Sequence, residues 1–471
     1  MNLPSAFAEQ TKRLLGEEEY LKLEEALQED SPVSIRLNEA KQLSDHPLSD
    51  IHCRLTEVPW CASGFYLDER LTFTFDPLFH TGRYYVQEAS SMFVEQAILQ
   101  YVHEPSVMLD LCAAPGGKST HARSVLPEGS LLVANEVIRN RSQILAENLI
   151  KWGHPDMAVT NNDPADFACL PEFFDVILTD VPCSGEGMFR KDAGAIEEWS
   201  PDNVRICWQR QRRILTDIWE SLKPGGILIY STCTYNSAED EENVAWIAEK
   251  YQAEVLPIAI DPHWGITGNL LDNELPVYHF LPHKTKGEGF FLAVLRKPGM
   301  PVDGIDYTGI PSGKKKKGVQ AKTPSVPKEA YGWLLRPEQF TFEIKGNMLT
   351  AFNREHAAKY AALQALKVVH TGIIIGELKG KDLIPNHSLA MSQAFNRTAF
   401  PSAELTYEQA IAYLRKEAIT LDTDIPKGYV TVTYQDIPLG FVKNIGNRAN
   451  NLYPNEWRIR SGYLPEEVKC I

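Results

Sequence analysis

Residues 107–120 read VMLDLCAAPGGKST, and this stretch decides the fold of the chain. Its first five residues are apolar apart from Asp110, which is typical of a short buried strand. Gly116 and Gly117 then indicate a turn, and a helix is predicted from about Ser119. A strand, a glycine-rich turn and a helix begin an α/β unit, in which ligands bind at the carboxyl ends of the strands.

The same alternation continues along the chain. Short apolar runs predict further strands at 131–134, 157–160, 174–178, 226–230 and 288–296, with helical stretches between most of them. A long helix predicted over 202–222 stops at the sequence KPGG, residues 223–226. Strands that alternate with helices of this length predict a parallel, doubly wound, Rossmann-like sheet.

Changes in composition divide the chain into five predicted parts. A small mixed α/β unit precedes the alternating region, and a segment rich in proline and glycine, with four lysines at 314–317, follows it. Beyond that segment, short strands include a hairpin predicted around residues 435–438. The predicted parts are an N-terminal α/β domain (1–84), the doubly wound domain (85–298), a linker (299–328) and two C-terminal modules (329–404 and 405–471).

The composition is that of an ordinary globular protein. The 471 residues are 44% hydrophobic, with no apolar run long enough to span a membrane and no secretory signal after Met1, so we expect a cytoplasmic location. The formal net charge of −15 argues against nucleic-acid binding unless the basic residues concentrate on one face. The eight cysteines form no C-x-x-C pair, so no metal site and no disulfide framework is predicted.

The glycine turn does not match a phosphate-binding motif. The Walker pattern requires glycine where Cys112 stands, and the dinucleotide pattern G-x-G-x-x-G is absent. Glu136, at the end of the next strand, is placed to bind ribose hydroxyls, and Asp163, after the third strand, to meet an adenine amino group. For either acid the alternative is a helix N-cap or a loop residue. A nucleoside site without phosphates predicts S-adenosylmethionine, bound by Cys112, Ala113, Ala114, Pro115, Gly116, Gly117, Lys118, Glu136, Asp163 and Asp180.

Two cysteines follow adjacent strands of this sheet, beside the predicted cofactor site. Cys183 lies in DVPCSG (180–185) and Cys233 in STCTY (231–235), positions where core cysteines are not usually found. A thiol next to a methyl donor suits methylation of carbon 5 of cytosine. This carbon is a poor nucleophile by itself, but it becomes nucleophilic when a thiolate adds to carbon 6. Asp180 is placed to donate the proton that ring nitrogen 3 then requires, provided that its surroundings raise its pKa enough to keep it protonated, and a second thiol near the ring could assist release of the product.

The motifs DLCAAPGGK (110–118), DVPCSG and STCT resemble those of the RNA (cytosine-5) methyltransferases, over roughly residues 85–296. The resemblance implies that Cys233 is the nucleophile and that Cys183 serves release of the product. The DNA cytosine-5 methyltransferases place the nucleophile in a Pro-Cys motif instead, so the presence of both motifs favours RNA. Val181 stands where alanine is common in the family, and we expect no functional effect from it.

Further stretches resemble the bacterial RsmF type of that family, which modifies small-subunit ribosomal RNA. They are HTGRYYVQEASS (80–91), GEGMFRKD (185–192) and KGEGFF (286–291), and NNLYP (450–454) is similar to the PUA-like RNA-binding domain of these enzymes. The resemblance implies a class I methyltransferase domain between an N-terminal domain of RNA-binding type and a C-terminal PUA-like region. It also implies S-adenosylmethionine as cofactor and ribosomal RNA or the small ribosomal subunit as partner.

We therefore predict a monomeric enzyme that methylates carbon 5 of cytosine in 16S ribosomal RNA through a covalent cysteine–C6 adduct. Alternatives are a tRNA or DNA cytosine methyltransferase and a catalytically idle RNA-binding or ribosome-assembly factor. A nicotinamide-dependent oxidoreductase is disfavoured because the pyrophosphate glycines are missing. Arg36 and Asn38 could either contact RNA or stabilise the N-terminal unit, and Lys118 could point to solvent.

Overall fold

The computed structural model describes residues 2–41, 53–271, 273–300, 325–465 and 468–470. Over these residues the chain forms four β-sheets, the largest of which has nine strands. The predicted α/β class with a Rossmann-like central domain is confirmed. The boundaries of the five predicted parts stay a prediction, and the lysines at 314–317 lie outside the described residues.

The N-terminal part consists of helices and a small antiparallel sheet. Its elements are α1 (Ser5–Leu15), α2 (Glu17–Ala26), β1 (Val33–Leu37), β2 (Leu55–Val58), β3 (Cys61–Leu67), α3 (Pro77–Thr81) and β4 (Tyr84–Val86). The strand order is β2-β3-β1-β4. Phe7 of α1 is fully buried and packs edge-on against Phe189 and Trp199 of the central domain. The first helix therefore covers part of the central domain.

The central domain alternates strands and helices as the sequence predicts. Its elements are α4 (Val94–Tyr101), β5 (Val107–Asp110), α5 (Gly117–Val125), β6 (Leu131–Asn135), α6 (Arg139–Trp152), β7 (Met157–Thr160), β8 (Phe174–Asp180), α7 (Ala193–Glu198), α8 (Pro201–Ile218), β9 (Leu222–Thr232), α9 (Glu241–Tyr251), β10 (Glu254–Leu256), β11 (Tyr278–Phe280) and β12 (Phe290–Arg296). Five of these strands are parallel, in the order β9-β8-β5-β6-β7.

The order of the parallel strands locates the ligand crevice. Strand β5 pairs with β6 on one side and with β8 on the other. The order in which the chain adds strands to the sheet therefore reverses at β5. A crevice opens outside the carboxyl ends of β5 and β8, where this reversal occurs. Asp110 ends the first of these strands and Asp180 the second. Both predicted motifs thus lie at the switch point of the sheet.

Both faces of the parallel sheet are buried. Successive residues of β5 point to opposite faces, so that Met108 belongs to one hydrophobic core and Leu109 to the other. Val133 of β6 and Ile177 of β8 lie in the same core as Leu109. A parallel strand covered on both faces is apolar throughout, which explains the continuous apolar runs in the sequence.

The prediction that the sequence KPGG at 223–226 ends the long helix is wrong. Helix α8 already ends at Ile218, and KPGG lies within the first residues of strand β9. Gly225 has a φ of +75°, and a side chain on Gly226 would lie 2.9 Å from the carbonyl oxygen of Asp175. Turn-forming residues are therefore accommodated in an irregular strand start next to β8, where the pairing register shifts.

The C-terminal part adds two small sheets and one strand to the central sheet. Its elements are α10 (Lys328–Gly332), β13 (Phe340–Lys345), β14 (Met348–Asn353), α11 (Ala357–Leu363), β15 (Val368–Thr371), β16 (Ile373–Lys379), β17 (Asp382–Pro385), α12 (His387–Met391), β18 (Ser402–Glu404), α13 (Tyr407–Leu414), β19 (Gly428–Tyr434), β20 (Ile437–Asn444) and β21 (Ala449–Asn451). The sheets have the orders β13-β14-β16-β17 and β18-β19-β20-β21.

Two pairings in this part bear on the predictions. The predicted hairpin is confirmed as β19 and β20, and its turn residues Gln435 and Asp436 both have positive φ. Strand β15 was not predicted to join the central sheet, but it pairs antiparallel with β7 and extends the sheet by one strand. Within the described residues, no helix is both long enough and apolar enough to cross a bilayer.

Candidate active site

The glycine turn connects the end of β5 to the start of α5. Gly116 has a φ of +116°, a conformation that residues with a side chain rarely adopt, so glycine is required there. Asp110, just before the turn, is fully buried, and its carboxyl accepts a hydrogen bond from the Ser119 hydroxyl at 2.6 Å. Burial raises the pKa of Asp110 to about 7, although the bond from Ser119 lowers it. The buried carboxyl of Asp110 is thereby hydrogen-bonded to the first turn of α5.

The two acids predicted to bind a nucleoside have different surroundings. Glu136 is buried, accepts a hydrogen bond from the Ile138 backbone N–H at 2.8 Å, and lies 3.3 Å from the Arg141 guanidinium. Asp163 caps a short 3-10 helix through the Ala165 N–H and lies 3.3 Å from the exposed Arg213. The structure therefore gives Asp163 an N-cap role, and its contact with an adenine stays a prediction.

The two cysteines come together at the carboxyl ends of β8 and β9. Cys183 lies on the loop after β8 (residues 181–188, the Cys183 loop) and Cys233 on the loop after β9 (residues 233–236, the Cys233 loop). Their Sγ atoms are 2.8 Å apart, and the Cys233 backbone N–H donates to the Cys183 sulfur at 3.3 Å. Hydrogen bonding with the Cys233 thiol, together with burial, raises the pKa of Cys183. The two thiols are therefore in direct hydrogen-bonding contact.

Asp180 joins the glycine turn to this pair. Its carboxylate accepts hydrogen bonds from the Lys118 ammonium and the Ser231 hydroxyl, both at 2.9 Å. Lys118 is mostly buried, so it points into the site, and the suggestion that it faces solvent is wrong. Burial lowers the pKa of Lys118, but the Asp180 carboxylate outweighs burial and the net shift is upward. Lys118 and Asp180 therefore form a partly buried ion pair near the thiols.

Cys112 is the third cysteine near the crevice. Burial and the nearby Asp110 and Asp180 carboxylates raise the pKa of its thiol. A protonated thiol is a poor nucleophile. The predicted place of Cys112 in the wall of the cofactor site stays a prediction.

Sequence reasoning missed a buried carboxylate behind the two loops. Glu239 is fully buried and accepts hydrogen bonds from the Ser184 N–H at 3.0 Å, Asn236 at 2.8 Å and Gln211 at 2.7 Å. Burial raises the pKa of Glu239 to about 7, although the bonds from Ser184 and Asn236 lower it. The only signal in the sequence was an acidic residue six positions after Cys233, and a surface helix start would look the same.

One cluster of metal-ligating side chain types is buried near the N-terminal sheet. Cys61, Glu95 and His121 bring their ligand atoms within 4.8 Å of one another. These atoms already engage one another, because His121 Nε2 lies 2.7 Å and the Cys61 sulfur 3.2 Å from the same Glu95 oxygen. Gln87 donates to His121 Nδ1 at 3.4 Å, which leaves the ring proton on Nε2. The cluster is a hydrogen-bonded link between β3, α4 and α5.

Comparison with known proteins identifies the family. The family model for the 16S rRNA methyltransferase RsmB/F matches residues 97–296, that for the N-terminal domain of RsmF matches residues 3–89, and that for the RsmF PUA domain matches residues 400–459. Relatives described as ribosomal RNA small subunit methyltransferase F, from Klebsiella pneumoniae and Cronobacter sakazakii, are each 32% identical. They align with 87% and 92% of this chain and with 86% and 91% of their own length. The chain belongs to this methyltransferase F family.

Two solved structures from Pyrococcus horikoshii share the fold of the central domain. A methyltransferase homolog protein is 30% identical, with a TM-score of 0.54 over 62% of this chain and 95% of its own. NSun6 with SFG is 22% identical, also with a TM-score of 0.54, over 63% of this chain and 99% of its own. As a member of the methyltransferase F family, the chain is a ribosomal RNA methyltransferase with an S-adenosylmethionine-type cofactor.

The predicted PUA-like region in the C-terminal part is confirmed by the match to the RsmF PUA domain. The PUA domain contains the sheet of β18 to β21 together with α13. Arg36 and Asn38 are fully buried: Arg36 donates to Gln87 at 2.9 Å and Thr120 at 2.7 Å, and Asn38 donates to the carbonyl oxygen of Trp152 at 3.0 Å. Of the two alternatives for this pair, stabilisation is therefore correct. They fasten the N-terminal sheet to the central domain.

Proposed function

We propose that this ribosomal RNA methyltransferase methylates carbon 5 of a cytosine in 16S ribosomal RNA, through a covalent bond between Cys233 and carbon 6. The observation that supports this most strongly is the contact between the Cys183 and Cys233 sulfurs at the switch-point edge of the sheet. A poorly nucleophilic ring carbon requires activation by a thiolate, and two coupled thiols suit a reaction that both forms and breaks a sulfur–carbon bond.

The residues of the crevice fit the cofactor that the family implies. Backbone approach at Gly116 and Gly117, the buried Glu136 carboxylate and the absence of a phosphate motif suit a nucleoside that carries no phosphates. When bound, S-adenosylmethionine supplies the methyl group from its sulfonium. We assign it to the turn from Cys112 to Lys118, with Glu136, Asp163 and Asp180 as polar contacts.

Cys233 begins the reaction by adding to carbon 6 of a cytosine that has been flipped out of its stack. The sulfur–carbon bond forms while the ring takes up a proton at nitrogen 3, since negative charge would otherwise accumulate there. The Asp180 carboxylate is paired with Lys118 and carries no proton in the free enzyme, so Asp180 is assigned to take the proton that the Cys233 thiol releases and to pass it to nitrogen 3. The Lys118 ammonium, which donates to Asp180 at 2.9 Å, stabilises the carboxylate when the proton has left it.

Cys183 completes the reaction by helping to release the product. In the free enzyme, hydrogen bonding with the Cys233 thiol contributes most to the raised pKa of Cys183. When Cys233 becomes a thioether, that contribution disappears, and Cys183 can lose its proton more easily. After Cys183 has given its own proton to solvent, its thiolate accepts the proton from carbon 5. The Cys233–carbon 6 bond then breaks, Cys233 leaves as a thiolate, and nitrogen 3 returns its proton to Asp180.

The proposal predicts a trapped intermediate. Replacing Cys183→Ala should leave addition and methyl transfer possible but slow release, so that a protein–RNA species accumulates and survives denaturation. The matched control is Cys183→Ala with Cys233→Ala, which should give no such species. The measurement is denaturing electrophoresis after incubation with a 16S ribosomal RNA transcript and S-adenosylmethionine.

Two outcomes would contradict this mechanism. One is methyl transfer to cytosine by Cys233→Ala at the wild-type rate, and the other is the absence of the adduct in Cys183→Ala. The choice between 16S ribosomal RNA and tRNA requires bisulfite mapping of both RNAs from cells that lack the protein. Loss of a 5-methylcytosine from tRNA alone would favour the alternative substrate. The monomeric state stays a prediction.

A further inference from the structure

The GEGMFRKD motif at 185–192 has no role in the mechanism above, yet its glutamate is fully buried and bonded to the residues that follow the nucleophile. Glu186 lies three residues after Cys183, on the Cys183 loop. Its side chain contacts the Cys233 loop rather than the crevice. The motif therefore connects the two loops that carry the thiols.

The Glu186 carboxylate accepts four hydrogen bonds. One oxygen accepts from the Thr234 hydroxyl at 2.7 Å and the Tyr235 backbone N–H at 2.9 Å. The other accepts from the Trp199 indole at 2.9 Å and the Asn236 side chain at 3.1 Å. Three of the four donors belong to the three residues that follow Cys233. Bonds to a buried carboxylate are stronger than those between neutral groups, so the loop is held firmly.

The peptide of Cys233 is also bonded on both sides to the Cys183 loop. The Gly187 N–H donates to the Cys233 carbonyl oxygen at 2.9 Å, and the Cys233 N–H donates to the Cys183 sulfur at 3.3 Å. With the bonds of Glu186 to Thr234 and Tyr235, these contacts leave the Cys233 backbone little freedom. The direction of its Cα–Cβ bond is thereby determined.

A second motif packs against the Cys183 loop. The KGEGFF stretch at 286–291 places Gly289 against Gly187, so closely that a side chain on Gly187 would lie 2.4 Å from the Gly289 carbonyl oxygen. Glu288 in that stretch pairs with Arg190 at 3.1 Å, and both side chains are at most 5% exposed. The two stretches thus form one packed unit behind the thiols.

We propose that Glu186 is a positioning residue for the nucleophile: it orients the Cys233 loop so that the sulfur faces the base, and it does not contact substrate itself. This inference rests on the proposed function, because it takes Cys233 as the nucleophile. Misplacement of a reacting group by about 1 Å can cost on the order of 100-fold in rate, so a positioning residue has a measurable effect on the chemical step.

The test is Glu186→Gln in the full chain, both alone and in the Cys183→Ala background. The amide would turn an N–H group toward two of the four donors, so those two bonds are lost. We expect kcat to fall about 10- to 100-fold with the KM for the 16S transcript within about twofold, and adduct formation in the Cys183→Ala background to slow by the same factor. A purely structural loss would lower the amount of folded enzyme without changing the rate per folded molecule.

Glu241→Gln is the matched control. Glu241 is also fully buried and accepts hydrogen bonds from His279 and the Leu270 N–H, at 2.8 and 2.9 Å, but neither donor is in the Cys233 loop. Its adduct rate should equal that of Cys183→Ala alone. If Glu186→Gln does not fold, Thr234→Val removes one donor to the carboxylate and should slow adduct formation severalfold.

The outcomes separate this inference from the proposed function. No adduct with Cys183→Ala contradicts the proposed function. An adduct with Cys183→Ala whose rate is unchanged by Glu186→Gln, or by Thr234→Val in its place, overturns the positioning role. Equal slowing by Glu186→Gln and Glu241→Gln also overturns it, because the effect would then be a general result of a lost buried carboxylate.

Discussion

Gly289 shows how a single residue sets the distance between two segments at the active site. A Cβ atom at this position would lie 2.4 Å from the ring of Tyr235 and 2.6 Å from the Cα of Gly187. Real Cβ atoms do not approach other atoms so closely, so the packing at this position requires a glycine. Because Tyr235 belongs to the Cys233 loop, a side chain at Gly289 that displaced the Tyr235 ring would also disturb the position of the nucleophile.

Gly289→Ala should lower the free energy of unfolding by about 1 to 3 kcal/mol, because the added methyl group forces backbone and ring apart. Urea unfolding measures this loss. Gly268→Ala is the control, since a Cβ there meets no atom within 4 Å. Equal stability of the two variants would mean that the neighbours of Gly289 yield without cost.

At the scale of elements, the helices after β8 and β9 are tied to the loops that precede them. Glu239, just before α9, accepts hydrogen bonds from Ser184 on the Cys183 loop and from Gln211 on α8. The sheet alone aligns the strand ends, and this carboxyl links the two loops to the helices that cover the sheet. Its pKa is raised to about 7 by burial, so the charged form is costly in the fold.

This raised pKa predicts a pH-dependent contribution to stability. Above the ordinary pKa of 4.5, the unfolded chain releases the Glu239 proton while the folded chain keeps it until about pH 7. The folded state then binds more protons, so its stability falls as pH rises through this window. Relative to Glu239→Gln, the wild type should lose about 2 kcal/mol between pH 5 and pH 8.

Urea unfolding of both proteins at pH 5 and pH 8 measures this difference. Glu239→Gln also loses a hydrogen-bond acceptor, but that loss is the same at both pH values and cancels in the comparison. A difference between the two proteins that does not change with pH would show that Glu239 is already charged in the folded state at pH 5.

At the scale of the whole molecule, the C-terminal part completes the central domain. Strand β15 covers the edge strand β7, and the Asn161 N–H donates to the Lys367 carbonyl oxygen at 2.9 Å. Tyr360 and Leu363 of α11 are buried in the same hydrophobic core as Leu109 of β5. Without these residues an apolar sheet edge and part of the core would face water.

A chain that ends at Met300 should therefore be less stable than the full chain, with a lower Tm and a tendency to aggregate. Thermal unfolding and light scattering measure both properties. The control is the full chain cut between Met300 and Ser325 with the two fragments kept together, which should unfold near the Tm of the intact protein. If the shortened chain had the same Tm as the intact one, the C-terminal strand and helix would add nothing to the central domain.

Much of the fold could be predicted because its strands and helices depend on residues that are close together in the sequence. The parallel strands contain continuous apolar runs because both faces of the sheet are buried, and the helices between them show a helical period of apolar residues. The prediction failed at KPGG, where turn residues occur inside an irregular strand start. It also missed β15, since a four-residue edge strand has no periodicity that shows which sheet it joins.

The candidate site was predictable only in part. The sequence placed Cys183, Cys233 and Asp180 after the ends of strands, and strand order brings such positions together. The partners of Lys118 and the role of Glu186 could not be predicted, because each depends on a contact between segments about 50 residues apart or more. Asp163 has the capping role that was the alternative for it in the sequence, and its contact with an adenine stays a prediction.

By itself, the sequence determined the doubly wound fold, the position of the crevice and the pair of cysteines, because burial and turn formation depend on residue types along the chain. Only the tertiary structure decided that Lys118 pairs with Asp180, that Arg36 is buried, and that Glu186 holds the Cys233 loop. The physical reason is that hydrogen bonds and ion pairs act over about 3 Å, and distances between remote segments exist only after the core has formed.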